Sequence, residues 1–251
     1  MKHLVIPDCQ VKDGVPLNHL EWAGRYIVDK RPDVVIMIGD FADMPSLSSY
    51  DKGKKSFEGQ RYQKDIAAAK KGMELLLTPI AKAVGYKPRL VLTLGNHEDR
   101  IPRAVNEDPK LEGILSLDDL GYEKDGWEVK PYLEPVTIDG ISYCHFFTSG
   151  VMGRPVTSAA QLLNKKHQSC VMGHTQSRQI AYATRADGRQ LTGLFVGAYY
   201  QHDEEYLNWQ ANKHWRGLWM LHEVDDGSFD EMPVSLGYLK RKYAGEGKKR
   251  R

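Results

Sequence analysis

The chain has 251 residues, enough for one large domain or two small ones, and its 41% apolar, 27% charged and 10% aromatic residues are those of an ordinary globular protein. With 23 Gly, 12 Pro and only three cysteines (Cys9, Cys144, Cys170), it is not a disordered, collagen-like or disulfide-scaffold chain. Its formal net charge of +2 conceals a division: residues 240–251 carry seven basic side chains and one acidic one, leaving 28 basic against 32 acidic in the body.

The N-terminal MKHLVIPD has no apolar leader. The strongly apolar run nearest to it, Val34 to Ile38, falls far short of the roughly 18 residues a membrane span needs. With an odd number of cysteines this predicts a cytoplasmic protein with no membrane partner, inside a host cell if the chain is phage-encoded. His3 to Ile6 reads as a short strand ending in Pro7-Asp8, and Asn18 to Lys30 as a helix behind an Asn18 cap. Val34 to Ile38 is β-branched and too short for a helix, so it predicts a buried strand stopping at Gly39-Asp40. A helix over about Gln60 to Val84 and a strand from Arg89 to Leu94 complete a βαβαβ pattern.

The second half reads as short strands at Val136 to Ile138, Ile141 to Phe146, Cys170 to Met172, Arg178 to Thr184, Leu191 to Val196 and Leu218 to Val224. Turn pairs Asp139-Gly140, Asp187-Gly188 and Asp226-Gly227 suggest hairpins rather than crossovers. Segments 99–134 and 147–168 read as long irregular connections. One catalytic domain over residues 1–239 followed by a flexible basic tail, 240–251, is the expected organisation.

Three strands end in polar clusters: Asp8-Cys9-Gln10, Gly39-Asp40-Phe41-Ala42-Asp43 and Gly95-Asn96-His97-Glu98-Asp99-Arg100. Two later strand ends add His145 and Gly173-His174-Thr175-Gln176. Ligand sites in such sheets lie beyond the carboxyl ends of strands, and carboxylates, an amide and imidazoles converging there describe a metal site.

In order and spacing these segments resemble the calcineurin-like metallophosphoesterases, whose pattern is DxH, GDxxD, GNH with an acidic residue, an isolated His and GHxH. The match covers roughly residues 3–176. The resemblance implies a four-layer αββα sandwich of two mixed sheets flanked by helices. It also implies two divalent cations, a pair that clamps a phosphate and lowers the pKa of a bridging water to give hydroxide at neutral pH. Asp40 is implied as the bridging ligand; Asn96, His145 and His174 as completing one site; His97 as a general acid or charge stabiliser at the leaving oxygen.

Two positions depart from the pattern. Gln10 and Gln176 stand where the family has histidines, so the other site would be Asp8, Gln10, Asp40 and Gln176, all oxygen donors. Neutral oxygen suits Mn²⁺ or Mg²⁺ better than Zn²⁺, with Fe²⁺ and Ni²⁺ as further candidates. Two outcomes stay open: a weakened site retuned to Mn²⁺ or Mg²⁺, or one that is empty or fills only with substrate. Asp43 reads as a hydrogen-bond partner of the bridging residue or a loop cap, and Arg100 as a phosphate ligand or a surface ion pair with Glu98 and Asp99. The cysteines read as small buried core residues.

Cationic Lys52, Lys54, Lys55 and Arg61, the aromatics of segment 199–216 and the basic tail suggest a polyanionic partner: DNA, RNA or a nucleotide. The function expected is phosphodiester hydrolysis by a nuclease or nucleotide phosphodiesterase. Phosphomonoester hydrolysis is the alternative, and a non-catalytic scaffold the second.

Overall fold

The computed structural model describes residues 1–51, 53–203 and 214–245. In chain order its main elements are β1 (His3–Ile6), α1 (Asn18–Lys30), β2 (Val34–Met37), α2 (Tyr62–Ala81), β3 (Arg89–Thr93), α3 (Arg100–Glu107), β4 (Glu128–Lys130), β5 (Val136–Ile138), β6 (Ile141–Cys144), α4 (Ala159–Lys166), β7 (Cys170–Met172), β8 (Arg178–Thr184), β9 (Gln190–Val196), β10 (Gly217–Asp225), β11 (Ser228–Ser235) and α5 (Leu236–Tyr243).

Two mixed sheets result. One has the order β11-β10-β1-β2-β3-β4, with β1 to β4 parallel and β10 and β11 antiparallel. The other has the order β5-β6-β7-β9-β8, in which β6, β7 and β9 are parallel between antiparallel edges.

The continuous apolar runs of β1 and β2 follow from burial on both faces. Leu4, Ile6, Val35, Met37 and Leu92 point into a core shared with Leu20, Ile27, Met73 and Leu76 of α1 and α2. The alternate residues Val5, Ile36, Val91 and Trp219 meet Tyr143, Val171 and Leu194 of the second sheet. On that sheet's far face Cys144, Met172 and Phe195 pack against Ala159 and Leu162 of α4. Three cores separate four layers, helices outside and sheets inside.

Several expectations are corrected. Asn18 is the first helical residue and not the cap, which is Leu17; the Asn18 Oδ1 accepts instead from Gln201 Nε2 at 2.5 Å. The connection 99–134 contains α3 and β4, and 147–168 contains α4. Among the described residues only the three Asp-Gly turns make hairpins; β6 to β7 and β7 to β9 are parallel pairs. The boundary at 239 also moves, because α5 continues through Lys240–Tyr243 with Leu239 and Tyr243 buried and Lys242 paired to Asp29 at 2.7 Å. Residues 246–251 lie outside the described residues, as do Lys52, Tyr206 and Trp209. Cys9, Cys144 and Cys170 are buried and free. Among the described residues no helix is long and apolar enough to cross a membrane.

Candidate metal centre

Because β1, β2 and β3 are parallel and in register, the segments after them emerge along one edge. The second sheet meets that edge directly. His145, just past β6, has its Nδ1 2.9 Å from the Ile38 carbonyl, and His174, past β7, donates its backbone N–H to Asp8 Oδ1 at 3.2 Å. A carbonyl only accepts, so His145 Nδ1 carries a proton and Nε2 faces the site.

Around that nitrogen three of the expected residues come together. Asn96 Oδ1 lies 3.0 Å from His145 Nε2 and 2.8 Å from His174 Nδ1, and Asp40 Oδ2 lies 3.4 Å from His145 Nε2. Asp40, His145 and His174 offer ligand atoms all within 4.8 Å of one another. Asp40 also reaches the other group, since Gln10 Nε2 donates to its Oδ2 at 3.3 Å. It thus contacts residues of both expected groups.

Asp8, Gln10, Asp40 and Gln176, expected as the oxygen-only group, are all buried. Asp8 Oδ2 and Gln10 Oε1 have no hydrogen-bond partner. A buried carboxylate or amide oxygen left unpaired costs about 1–3 kcal/mol, so two at one site suit a cation that the side chains would complete. Gln176 is differently placed: its Oε1 accepts from Tyr200 OH at 2.7 Å. Tyr200, in sequence one of the aromatics of segment 199–216, orients an expected ligand. Tyr199, of the same segment, is also fully buried and is core.

The backbone is strained at four of these residues. Gln10, Asp40, His174 and Gln176 adopt left-handed conformations, with φ of 47°, 49°, 64° and 54°, each costing on the order of 1 kcal/mol or more for a residue bearing a Cβ. A Cβ on Gly95 would collide with the Asp40 carboxylate, and one on Gly173 with that of Asp8, so both motif glycines are needed for close approach.

Glu98 holds this loop geometry. Its buried carboxylate accepts from the backbone N–H groups of Gly95 (2.9 Å), Asp40 (3.0 Å) and Ala42 (2.9 Å) and from Tyr122 OH (3.3 Å). In sequence Glu98 is a candidate surface partner of Arg100, and its only distinguishing signal is its place after Gly-Asn-His.

His97 is clamped twice. Its N–H donates to Asp40 Oδ1 at 3.0 Å, and its ring Nδ1 lies 2.7 Å from Asp43 Oδ1 and 2.9 Å from the Asp43 carbonyl. That leaves Nε2 facing the site. Asp43 therefore serves the imidazole, and is itself paired with Lys12 at 2.9 Å. Arg100 is neither a surface ion pair nor bonded to Glu98: it donates to the Asp43 and Met44 carbonyls at 2.7 and 3.2 Å, and its Nη2 lies 3.3 Å from His97 Nε2.

Electrostatics follow from this packing. Burial and the neighbouring Asp40 charge raise Asp8 to about 7, against the pull of His145. Burial also acts to raise Asp40, but His145 and His97 outweigh it and hold that carboxyl well below the usual range. Burial opposes protonation of His145, yet Asp40 lifts it to about 9, while burial and the neighbouring His145 lower His174 to about 4. His97 is raised despite burial because Asp40 and Asp43 flank it, with Arg100 acting in the opposite sense.

No protein-family model matches the chain, and no curated protein does. Among solved structures, a dimetal phosphatase from Danio rerio is similar over 94% of this chain and 96% of that one, with TM-score 0.43 and 10% identity. At that level the likeness carries no weight for chemistry, which rests on the side chains described above.

Proposed function

We propose that this protein is a metal-dependent phosphoesterase that prefers phosphodiesters. One observation carries the reading: Asp8, Gln10, Asp40, Asn96, His145 and His174 converge at a single edge of both sheets, with two buried oxygens left without partners and an oriented imidazole alongside. His145, His174, Asn96 and Asp40 would hold one divalent cation; Asp8, Gln10 and Asp40, with Gln176 held by Tyr200, would hold a second. Cations bound there supply positive charge to phosphoryl oxygens and acidify water.

The protein's own groups do the rest. Asp40 ties the two ligand sets together. Glu98 fixes the loops that carry Asp40 and Asn96. Asp43 holds a proton on His97 Nδ1, so that Nε2, when protonated, can pass its proton to the departing oxygen. Arg100 beside Nε2 disfavours that protonation, which keeps the acid from becoming too weak to give its proton up.

The charge around His97 favours a diester. Phosphomonoesters carry close to two negative charges at neutral pH and are usually met by bidentate arginine. Here Lys12 and Arg100 are both engaged with Asp43. A diester, with one charge, needs less. The oxygen-only group supports Mn²⁺ or Mg²⁺ over Zn²⁺.

Mn²⁺, Mg²⁺, Zn²⁺, Ni²⁺ and no metal, each assayed against an aryl phosphodiester, the matching monoester, and single-stranded and duplex DNA, test this reading. Mn²⁺-dependent diester hydrolysis above monoester hydrolysis is expected. Faster monoester cleavage makes the protein a phosphatase, and no hydrolysis under any metal leaves a binding scaffold.

A further inference from the structure

β4 adds one strand beyond β3, and because the two are parallel the end of β4 lies along the edge that carries Asn96 and His97. A cavity of about 580 Å³ opens there, within the roughly 300–1,000 Å³ of small-molecule sites. Leu94, Leu117, Val129 and Tyr132 supply its apolar and aromatic walls, Asp99, Asp118 and Glu123 its carboxylates, and Lys124 a cation.

Chain and packing both tie this cavity to the metal centre. Leu94 precedes Asn96 by two residues, and Asp99 follows it by three. The Tyr132 ring meets Phe146 edge-on with centroids 5.9 Å apart, and the Phe146 ring lies 4.6 Å from that of His174. Half-exposed Arg103 links the two places, donating to the Asn96 carbonyl at 3.1 Å while pairing with Asp99 at 3.2 Å.

An occupant that fits this lining presents apolar or aromatic faces, hydrogen-bond donors for the carboxylates and an acceptor for Lys124. A sugar phosphate has donors but little apolar face, and an alkyl chain has no donors. A nucleobase meets all three needs: a π face for Tyr132 and Leu117, edge N–H groups for the carboxylates, and ring nitrogens or carbonyls for Lys124.

We infer that this cavity receives the nucleobase of a nucleotide phosphodiester whose phosphate lies against Asp40, Asn96 and His97, a placement of the phosphate that rests on the phosphoesterase reading. Substrate choice is then made one strand away from the chemistry, and the base stays in place while the bond beyond it is cut.

Calorimetric titration of the full chain with adenosine monophosphate, guanosine monophosphate and ribose phosphate, in Mn²⁺ and again in EDTA, tests this. At least one nucleotide should bind roughly tenfold tighter than ribose phosphate, the size of one base–aromatic stack. Leu117→Trp, which fills the cavity, should bring that ratio close to one; Tyr132→Leu serves the same end if the tryptophan prevents folding. Equal affinities for nucleotides and ribose phosphate, or a preference that survives both substitutions, overturn the inference. The two readings fail separately. Without phosphoesterase activity the nucleotide preference and its loss in the variants remain, whereas without a base site aryl diester hydrolysis remains and the preference is missing.

Discussion

His97 is held through its backbone by Asp40 and through its ring by Asp43, so neither its position nor its tautomer is left to chance. If it delivers the leaving-group proton, His97→Ala should lower Mn²⁺-dependent diester turnover by about 10²–10⁴ while calorimetry shows Mn²⁺ binding unchanged. Parallel loss of metal would make His97 a ligand instead. Elsewhere a second buried imidazole affects stability. His19 is 1% exposed, and burial pulls its pKa down to about 3. Between pH 6.5, where the unfolded imidazole titrates, and pH 3 the unfolded chain binds a proton that the folded chain refuses. This contribution is full above pH 6.5 and falls away on acidification, by at most about 1.4 kcal/mol per pH unit. Denaturant melts of His19→Gln between pH 7 and 4 should show a shallower slope than the parent; an identical slope places the acid sensitivity elsewhere. Much of the candidate site was legible because each of its residues follows the end of a strand. Glu98, Lys12 and Tyr200 were not, since their roles depend on which loops meet across the sheets.

Among the elements, β1, β2 and β3 could be read directly because burial on both faces leaves continuous apolar runs. β4 could not: Glu-Val-Lys has one apolar residue, and its strand conformation comes from pairing with the edge of β3. α4 is short, eight residues with only Ala159, Leu162 and Leu163 buried, too few to set up a clear helical period. α5 was masked by charge, since Leu-Gly-Tyr-Leu-Lys-Arg-Lys-Tyr reads as a cationic end until Leu239 and Tyr243 are seen packed in the core of α1 and α2. Leu239 is fully buried, so Leu239→Ala should cost about 2–5 kcal/mol in a urea melt. A loss below about 0.5 kcal/mol, as for a surface site, would show that α5 is not part of the domain. Removing residues 240–251 would therefore disturb folding as well as charge, and removal of 246–251 alone is the clean probe of the basic end.

For the molecule as a whole, the net charge of +2 is a poor guide, because the charges that matter are few and buried. Asp8, Asp40 and Glu98 lie at one junction of the two sheets, held by left-handed backbone, motif glycines and two histidines from the opposite sheet. A four-layer fold makes this possible: each sheet brings its strand ends to the common edge, and the helices outside leave that edge open. The arrangement costs stability in unpaired oxygens and strained φ angles, which bound cations would offset. Calorimetric titration of Mn²⁺ into metal-stripped protein tests this most directly. Two binding events per chain are predicted, the tighter lost in His145→Ala and the weaker in Asp8→Ala; the absence of any Mn²⁺ binding, or binding indifferent to both substitutions, would contradict it.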